Sequence, residues 1–277
     1  MKRRNIMKNK KQVSVAVAAG VCVCACLCGV GCGGGGETVS ISGSTSVQPL
    51  MLELASAFED IHPEINVEVS GGGSSKGVTD AQSGRVDLGM ASRALKSSET
   101  GLESRQLAID AIALIVNTNC MIDNVTSEEV FGLYANAMPV STVTKAIARS
   151  SSSGTRDAFD SLVSSDGVFL ADVSLPDGVQ ELESGGLVVT TIERNTVGDT
   201  MGYVSLGAVT ENVKALSFDG VAATAENVGN GTYKLSRSFN LVWKADVQFS
   251  AATQAFFDFV FGEQGKVIIQ AEGYVLI

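Results

Sequence analysis

Thr38-Val39-Ser40-Ile41-Ser42-Gly43-Ser44-Thr45-Ser46 is the stretch on which the reading of this chain turns. Thr38 to Ile41 alternates as a half-buried strand does, Gly43 to Ser46 is a turn of small polar residues, and Val47, Leu50, Met51, Leu54, Ala55, Phe58 and Ile61 follow at helical spacing. The same order recurs twice. Ile65, Val67 and Val69 alternate ahead of Gly71-Gly72-Gly73-Ser74-Ser75-Lys76-Gly77, which opens a weaker helix near Val78 to Gln82. Arg149-Ser150-Ser151-Ser152-Ser153-Gly154-Thr155-Arg156 precedes a helix with Ala158, Phe159, Leu162 and Val163 on one face. A helix N-terminus carries unpaired N–H groups and about half a positive charge, so hydroxyl-rich turns placed there are candidate oxyanion cradles. Three of them point to one enclosed anion. Strand, turn and helix in alternation imply parallel α/β layers, with the ligand at the carboxyl ends of the strands.

Outward from these turns the pattern continues. Val86 to Met90 and Ala111 to Val116 are short apolar runs suited to buried strands. A new unit starts near Asn117, carries the third turn, and closes near Tyr203 to Leu206. Leu241 to Trp243 reads as a strand, and Ala251, Ala252, Ala255, Phe256, Phe259 and Val260 as an amphipathic helix. His62-Pro63 ends the first helix, because the residue before proline avoids helical geometry.

The N-terminus reads as an export signal: Lys2, Arg3, Arg4, Lys8, Lys10 and Lys11 precede an apolar run from Val13 to Val30. Gly31-Cys32-Gly33 resembles a lipoprotein junction, in which the cysteine becomes lipidated and begins the mature chain. An uncleaved membrane anchor is the alternative, since a spanning helix needs roughly 20 apolar residues. On the cleaved reading residues 1–31 are the signal and 32–36 a lipidated Cys with a Gly linker. Loss of the six N-terminal bases leaves 14 Lys and Arg against 30 Asp and Glu, a net charge of −16. That surface disfavours nucleic acid and anionic membrane. It does not bar an anion from a cleft, because charges beyond a Debye length of about 8 Å are screened. Five of the six cysteines lie in the signal region, leaving Cys120 alone and buried as a small apolar residue.

Each turn has a plainer reading. Ser and Thr are the usual N-caps, so the first turn alone is also an ordinary helix start. Three glycines in the second cost backbone entropy unless close approach or positive φ is needed. The second is not a nucleotide phosphate loop, which has Gly before Lys and Ser or Thr after it, whereas Lys76 stands between Ser75 and Gly77. In the third, Arg149 can grip two oxygens of a tetrahedral anion while Ser153, Gly154 and Thr155 supply N–H and hydroxyl donors. Arg156 opposes the helix dipole and so implies a site or a carboxylate partner; Asp157 and Asp160 suit the first turn as favourable charges rather than catalytic acids.

Together these stretches resemble a family. The three turns, with Asp87-Leu88-Gly89-Met90-Ala91-Ser92-Arg93, Met201-Gly202-Tyr203-Val204-Ser205-Leu206-Gly207 and Glu272-Gly273-Tyr274-Val275-Leu276-Ile277, closely resemble the phosphate-binding lipoproteins of bacterial phosphate ABC importers. The resemblance runs in order over nearly all of the mature chain. It implies an α/β, two-lobed periplasmic-binding-protein fold (type II-like), each lobe a mixed sheet flanked by helices, with two interlobe crossovers. Residues 37–116 and 208–277 would form the first lobe, and 117–207 the second. Phosphate contacts carry over to Thr45, Ser46, Ser74, Arg149, Ser153, Gly154 and Thr155, with no cofactor, no metal and no catalytic residue.

Two departures bear on specificity. Where many relatives place a carboxylate that accepts the proton of hydrogen phosphate, this chain has Ser92 followed by Arg93. A hydroxyl can accept a proton but lacks the charge that repels fully ionised anions. The segment Gly132 to Val140 is also short and lacks the tryptophan of relatives. The resemblance implies an extracytoplasmic receptor, lipid-anchored through Cys32 to the outer face of the cytoplasmic membrane, that hands inorganic phosphate to the permease subunits of an importer. Alternatives are a receptor for sulfate, molybdate or a phosphonate, a sensor or adhesin on the same fold, or an enzyme. An enzyme needs a nucleophile beside a base, and His62, the one histidine, falls at a helix end far from the cradles.

Overall fold

The computed structural model describes residues 37–276, so the export segment and Cys32 lie outside the described residues. The opening stretch forms strand β1 (Glu37–Gly43) and helix α1 (Gln48–Glu59). Pro49 sits in the first turn of α1, where its fixed φ and missing N–H cost nothing, and Leu50, Met51, Leu54, Ala55 and Phe58 are buried. No side chain caps this helix. The hydroxyls of Ser44, Thr45 and Ser46 are thereby left for other partners. Next come β2 (Ile65–Gly71), α2 (Ser74–Gln82) and β3 (Leu88–Ala91), giving two parallel pairings around β1.

Strand β4 (Leu102–Asn117) is far longer than its apolar run, because its first half carries Glu103, Ser104, Arg105 and Gln106. Helix α3 (Ser127–Asn136), β5 (Lys145–Arg149), α4 (Gly154–Leu162), β6 (Gln180–Leu182), α5 (Gly185–Arg194) and β7 (Thr200–Ser205) follow. The chain closes with β8 (Val213–Ala215), α6 (Ala225–Gly229), β9 (Ser236–Lys244), α7 (Ala251–Phe261) and α8 (Glu263–Ala271). Thr126 and Glu129 make a reciprocal capping box on α3, and Ser184 caps α5.

Nine strands share one sheet among the described residues, in the order β2-β1-β3-β9-β4-β7-β5-β6, with β8 also on β4. The layers are not all parallel, as the strand, turn, helix order implies. Strand β9 runs antiparallel to both β3 and β4, and β4 antiparallel to β7, so the two parallel ends meet through an antiparallel centre. The reason is connectivity: β4 and β9 each run on from one end of the sheet into the other rather than returning through a helix.

Packing divides this one compact unit into separate cores. The first gathers Ile41, Leu50, Phe58, Met90, Phe239 and Phe256 beneath α1 and α7, and α2 covers the opposite sheet face through Val78 and Ala81. In the second, β4 alternates with period two: Ile112, Leu114 and Val116 face α3 and α4, while Ala113 and Ile115 face α5. Leu216, Phe218, Val228, Tyr233 and Leu235 also join the second core. Cys120 is buried there as a free thiol.

Candidate functional site

All three hydroxyl-rich turns leave the carboxyl ends of strands: β1 for Thr45 and Ser46, β2 for Ser74, and β5 for Ser153 to Thr155, with Ser92 following β3. Gly73 N–H donates to Gly43 O at 2.9 Å, joining the first two turns. Ser75 N–H donates to Ser152 O at 3.3 Å, joining the second to the third. Across the two cores Ser46 Oγ and Thr155 Oγ1 lie 2.8 Å apart. Positive φ at Gly73, 91°, sets the chain against Ser152, where a Cβ would come within 2.7 Å of the carbonyl oxygen. At Gly154 a Cβ would overlap Ser74 Oγ and lie 2.8 Å from Ser92 Oγ, so the first residue of α4 rests on both serines.

Arg149 is the centre of the cluster and is 1% exposed. Its Nη2 donates to Thr45 Oγ1 at 2.9 Å and Glu183 O at 2.7 Å, and its Nε to Leu182 O at 3.2 Å. Its Nη1 is buried without a hydrogen-bond partner among the described residues. Gly185, which opens α5, adjoins that nitrogen. Burial pushes the Arg149 pKa down to about 10, and the positive charge of Arg237 adds to the lowering. At neutral pH the group remains a cation. No carboxylate forms an ion pair with it among the described residues, the charge of Glu183 acting only from further off, so a desolvated positive charge meets hydroxyls and carbonyls at contact distance, which suits an anion.

The remaining residues support these. Ser92 N–H donates to Ser74 Oγ at 3.0 Å, and Ser74 Oγ and Ser92 Oγ are 3.2 Å apart. Ser153 caps α4 by accepting from Arg156 N–H at 3.4 Å, which leaves its hydroxyl proton free to donate. Arg156 finds carboxylate partners in Asp160 and Glu181 and also donates to Arg149 O at 3.0 Å. Asp157 turns outward to Arg93 and Lys96, each 2.8 Å away. The Arg93 contact is electrostatic only, being out of line for a hydrogen bond.

Every expected contact residue is thus in one cluster: Thr45, Ser46, Ser74, Ser92, Arg149, Ser153, Gly154 and Thr155. Three residues beyond the expected contacts also contribute. Ser44 Oγ donates to Ser92 Oγ at 3.0 Å. Tyr203 Oη accepts from Arg149 N–H at 3.1 Å while its ring stacks on Phe159 at 3.9 Å. Glu183 offers Arg149 its carbonyl. Ser44 has a signal, since it lies inside the first turn; a backbone carbonyl has none. His62, partly exposed just past α1, packs on Phe58 of the first core and contacts Glu64.

A family model described as the PBP superfamily domain matches residues 32–264. A phosphate-binding protein PstS 2 of Streptococcus pneumoniae is 32% identical over 144 residues, 51% of this chain and 48% of that protein. The chain thus spans about half the length of that relative in the matched region. The phosphate-binding protein PstS of Bacillus subtilis is 26% identical over 249 residues, 84% of this chain and 79% of its own. A crystal structure from Clostridium perfringens, with bound phosphate and provisionally assigned as a phosphate ABC transporter substrate-binding protein, is 33% identical with a TM-score of 0.80, over 87% of this chain and 100% of that one. By its matched span, its mixed α/β fold and these likenesses, the chain belongs to the PBP superfamily, the periplasmic-binding proteins, among relatives named for binding phosphate.

Proposed function

We propose that the protein captures inorganic phosphate between its lobes and delivers it to the permease subunits of a phosphate ABC importer, without catalysing a reaction. One observation carries this reading: Arg149 is buried with a free Nη1 and no carboxylate, inside a ring of hydroxyls and helix N-termini contributed by both cores. A buried anion needs a full set of donors, and such a ring supplies them as the lobes close. The core clusters favour lobe crossovers near Asp110 and Arg237 rather than near residues 116 and 208, since Leu216 to Leu235 pack with the second core. Export, lipidation at Cys32 and attachment to the outer face of the cytoplasmic membrane complete the proposal.

A second reading concerns the anion. Among the described residues, no carboxylate hydrogen-bonds to the hydroxyls of Thr45, Ser46, Ser74, Ser92, Ser153 or Thr155. Without such an acceptor, a fully ionised anion such as sulfate meets little repulsion. Calorimetry on protein refolded to strip ligand, with phosphate and then sulfate, separates the two: tight phosphate with weak sulfate would keep the phosphate reading, and equal affinities would make this a general oxyanion receptor. Arg149→Ala is expected to weaken phosphate binding by about 2–5 kcal/mol, the usual cost of deleting one side of a buried charge contact. Unchanged affinity would remove Arg149 from the site.

A further inference from the structure

Arg149 commits two of its three nitrogens to the protein. Nη2 donates to Thr45 Oγ1 and Glu183 O, and Nε to Leu182 O, which uses every proton on both. Nη1 keeps two protons with no acceptor among the described residues, on a side chain that is fully buried. Beside it lies the start of α5: a Cβ built on Gly185 would stand 3.8 Å from Nη1. Each Cα–Cβ bond of a helix tilts towards the N-terminus, the end to which the first N–H groups also point. Nη1 therefore sits off the N-terminal end of α5.

That end holds unclaimed donors. Ser184 caps the helix: its Oγ accepts from Leu187 N–H and its carbonyl from Val188 N–H, each at 3.2 Å. The N–H groups of Gly185 and Gly186 have no acceptor among the described residues. Two positive features thus face each other, since the start of a helix is its positive end, where a cation is disfavoured and an anion is held. A buried guanidinium placed there is unfavourable twice over, by dipole and by desolvation, unless an anion lies between the two. One oxygen accepting at ordinary length from two nitrogens bridges donors up to about 6 Å apart, and the Gly185 nitrogen is two bonds from the Cβ position. Both groups only donate, so the oxygen they take is an unprotonated one.

We propose that the N-terminus of α5 is a fourth donor set of the anion site, in which Gly185 N–H, seconded by Gly186 N–H, joins Arg149 Nη1 in taking one unprotonated oxygen of the enclosed tetrahedral anion. The three hydroxyl-rich turns then hold the remaining oxygens. Topology agrees: α5 leaves the carboxyl end of β6, which pairs parallel with β5, so α5 and α4 start at the same end of the sheet. The inference rests on the phosphate reading above.

A backbone donor is removed with proline, and this position admits one. Gly185 is the first residue of α5, where proline is favoured, and Ser184 before it is extended, with φ −132° and ψ 154°. Gly185→Ala is the comparison: it keeps the N–H and adds only a Cβ, which meets Arg149 Nη1 and Val204 Cγ1 at 3.8 Å, an ordinary contact. Inorganic phosphate is titrated by calorimetry into the parent and both variants, refolded to strip ligand, with thermal melting of each unliganded protein. Gly185→Pro is expected to bind about 10- to 150-fold more weakly than Gly185→Ala, as loss of one hydrogen bond to a charged group gives, while the two melt alike. Equal affinities in the two variants would overturn the proposal. If Gly185→Pro fails to fold or melts several degrees lower, the Gly185 amide proton of nitrogen-labelled parent protein decides by nuclear magnetic resonance. A downfield shift on saturation with phosphate supports the contact, and an unmoved resonance overturns it. A parent protein that folds but ignores phosphate would overturn the phosphate reading itself, whereas a tight parent with matched variants overturns only the α5 contact.

Discussion

Gly154 carries the sharpest single-residue consequence of the site. It begins α4 with ordinary helical geometry, so alanine there leaves the helix itself unharmed and slightly favours it. Yet the added Cβ would overlap Ser74 Oγ and come within 2.8 Å of Ser92 Oγ, across the boundary between the cores. Overpacking of this kind costs about 1–3 kcal/mol, and here the cost falls on the closed arrangement alone. Gly154→Ala is therefore expected to keep the parent melting temperature without ligand while phosphate affinity in calorimetry drops about 5- to 150-fold. A variant melting several degrees lower with unchanged affinity would mean that the contact belongs to the fold rather than to closure.

At the scale of elements, the loop after β3 and the first turn of α4 face each other as a charged seam beside the cluster. Arg93 is held by Glu99 through two hydrogen bonds, 2.7 and 2.8 Å, which keeps its guanidinium beside Asp157; Lys96 reaches the same carboxylate. Asp157 also favours the positive end of the α4 dipole, so its charge serves the helix whether or not the seam is closed. Asp157→Asn is expected to leave phosphate association nearly unchanged and to raise the dissociation rate several-fold in stopped-flow displacement, because the seam forms after encounter. Equal dissociation rates in variant and parent would reduce the seam to surface decoration, as many exposed ion pairs are. Part of this scale is legible in sequence. Thr126 to Glu129 spells a capping box, and Arg156 next to the α4 start signals a carboxylate partner, here Asp160 and Glu181. The lengths of β4 and α8 are not, since Glu103 to Gln106 and the Gly262 junction break the apolar periods that mark strands and helices.

For the whole molecule, a net charge of −16 over residues 37–276, 14 Lys and Arg against 30 Asp and Glu, surrounds the buried cation of Arg149. A negative exterior slows the approach of an anion, and salt relieves that repulsion, whereas contacts inside a closed site are screened little. The association rate for phosphate is expected to rise between low salt and roughly physiological ionic strength, near 0.15 M, while the dissociation rate stays flat. Stopped-flow at several chloride concentrations reads both. A falling association rate would point to a positive patch at the cleft mouth that outweighs the net charge.

Much of the binding cluster was within reach of local sequence. A Gly/Ser turn between a strand and a helix places N–H groups and hydroxyls at a strand's carboxyl end wherever it occurs, so the three turns follow from short-range patterns, whereas Thr45, Ser46 and Ser74 within them were singled out by the family resemblance. Ser92, Ser44 and Arg149 needed folding to acquire their partners, because Ser92 meets Ser74 and Arg149 meets Thr45 across 18 and 104 positions of chain. Periodicity also leaves strand direction open. Nothing in residues 236–244 states that β9 runs antiparallel to β4, yet that register sets Asp110 opposite Arg237 and carries the chain from one core to the other. Local chemistry fixes which groups can bind an anion; long-range pairing, which no short pattern encodes, decides which of them meet.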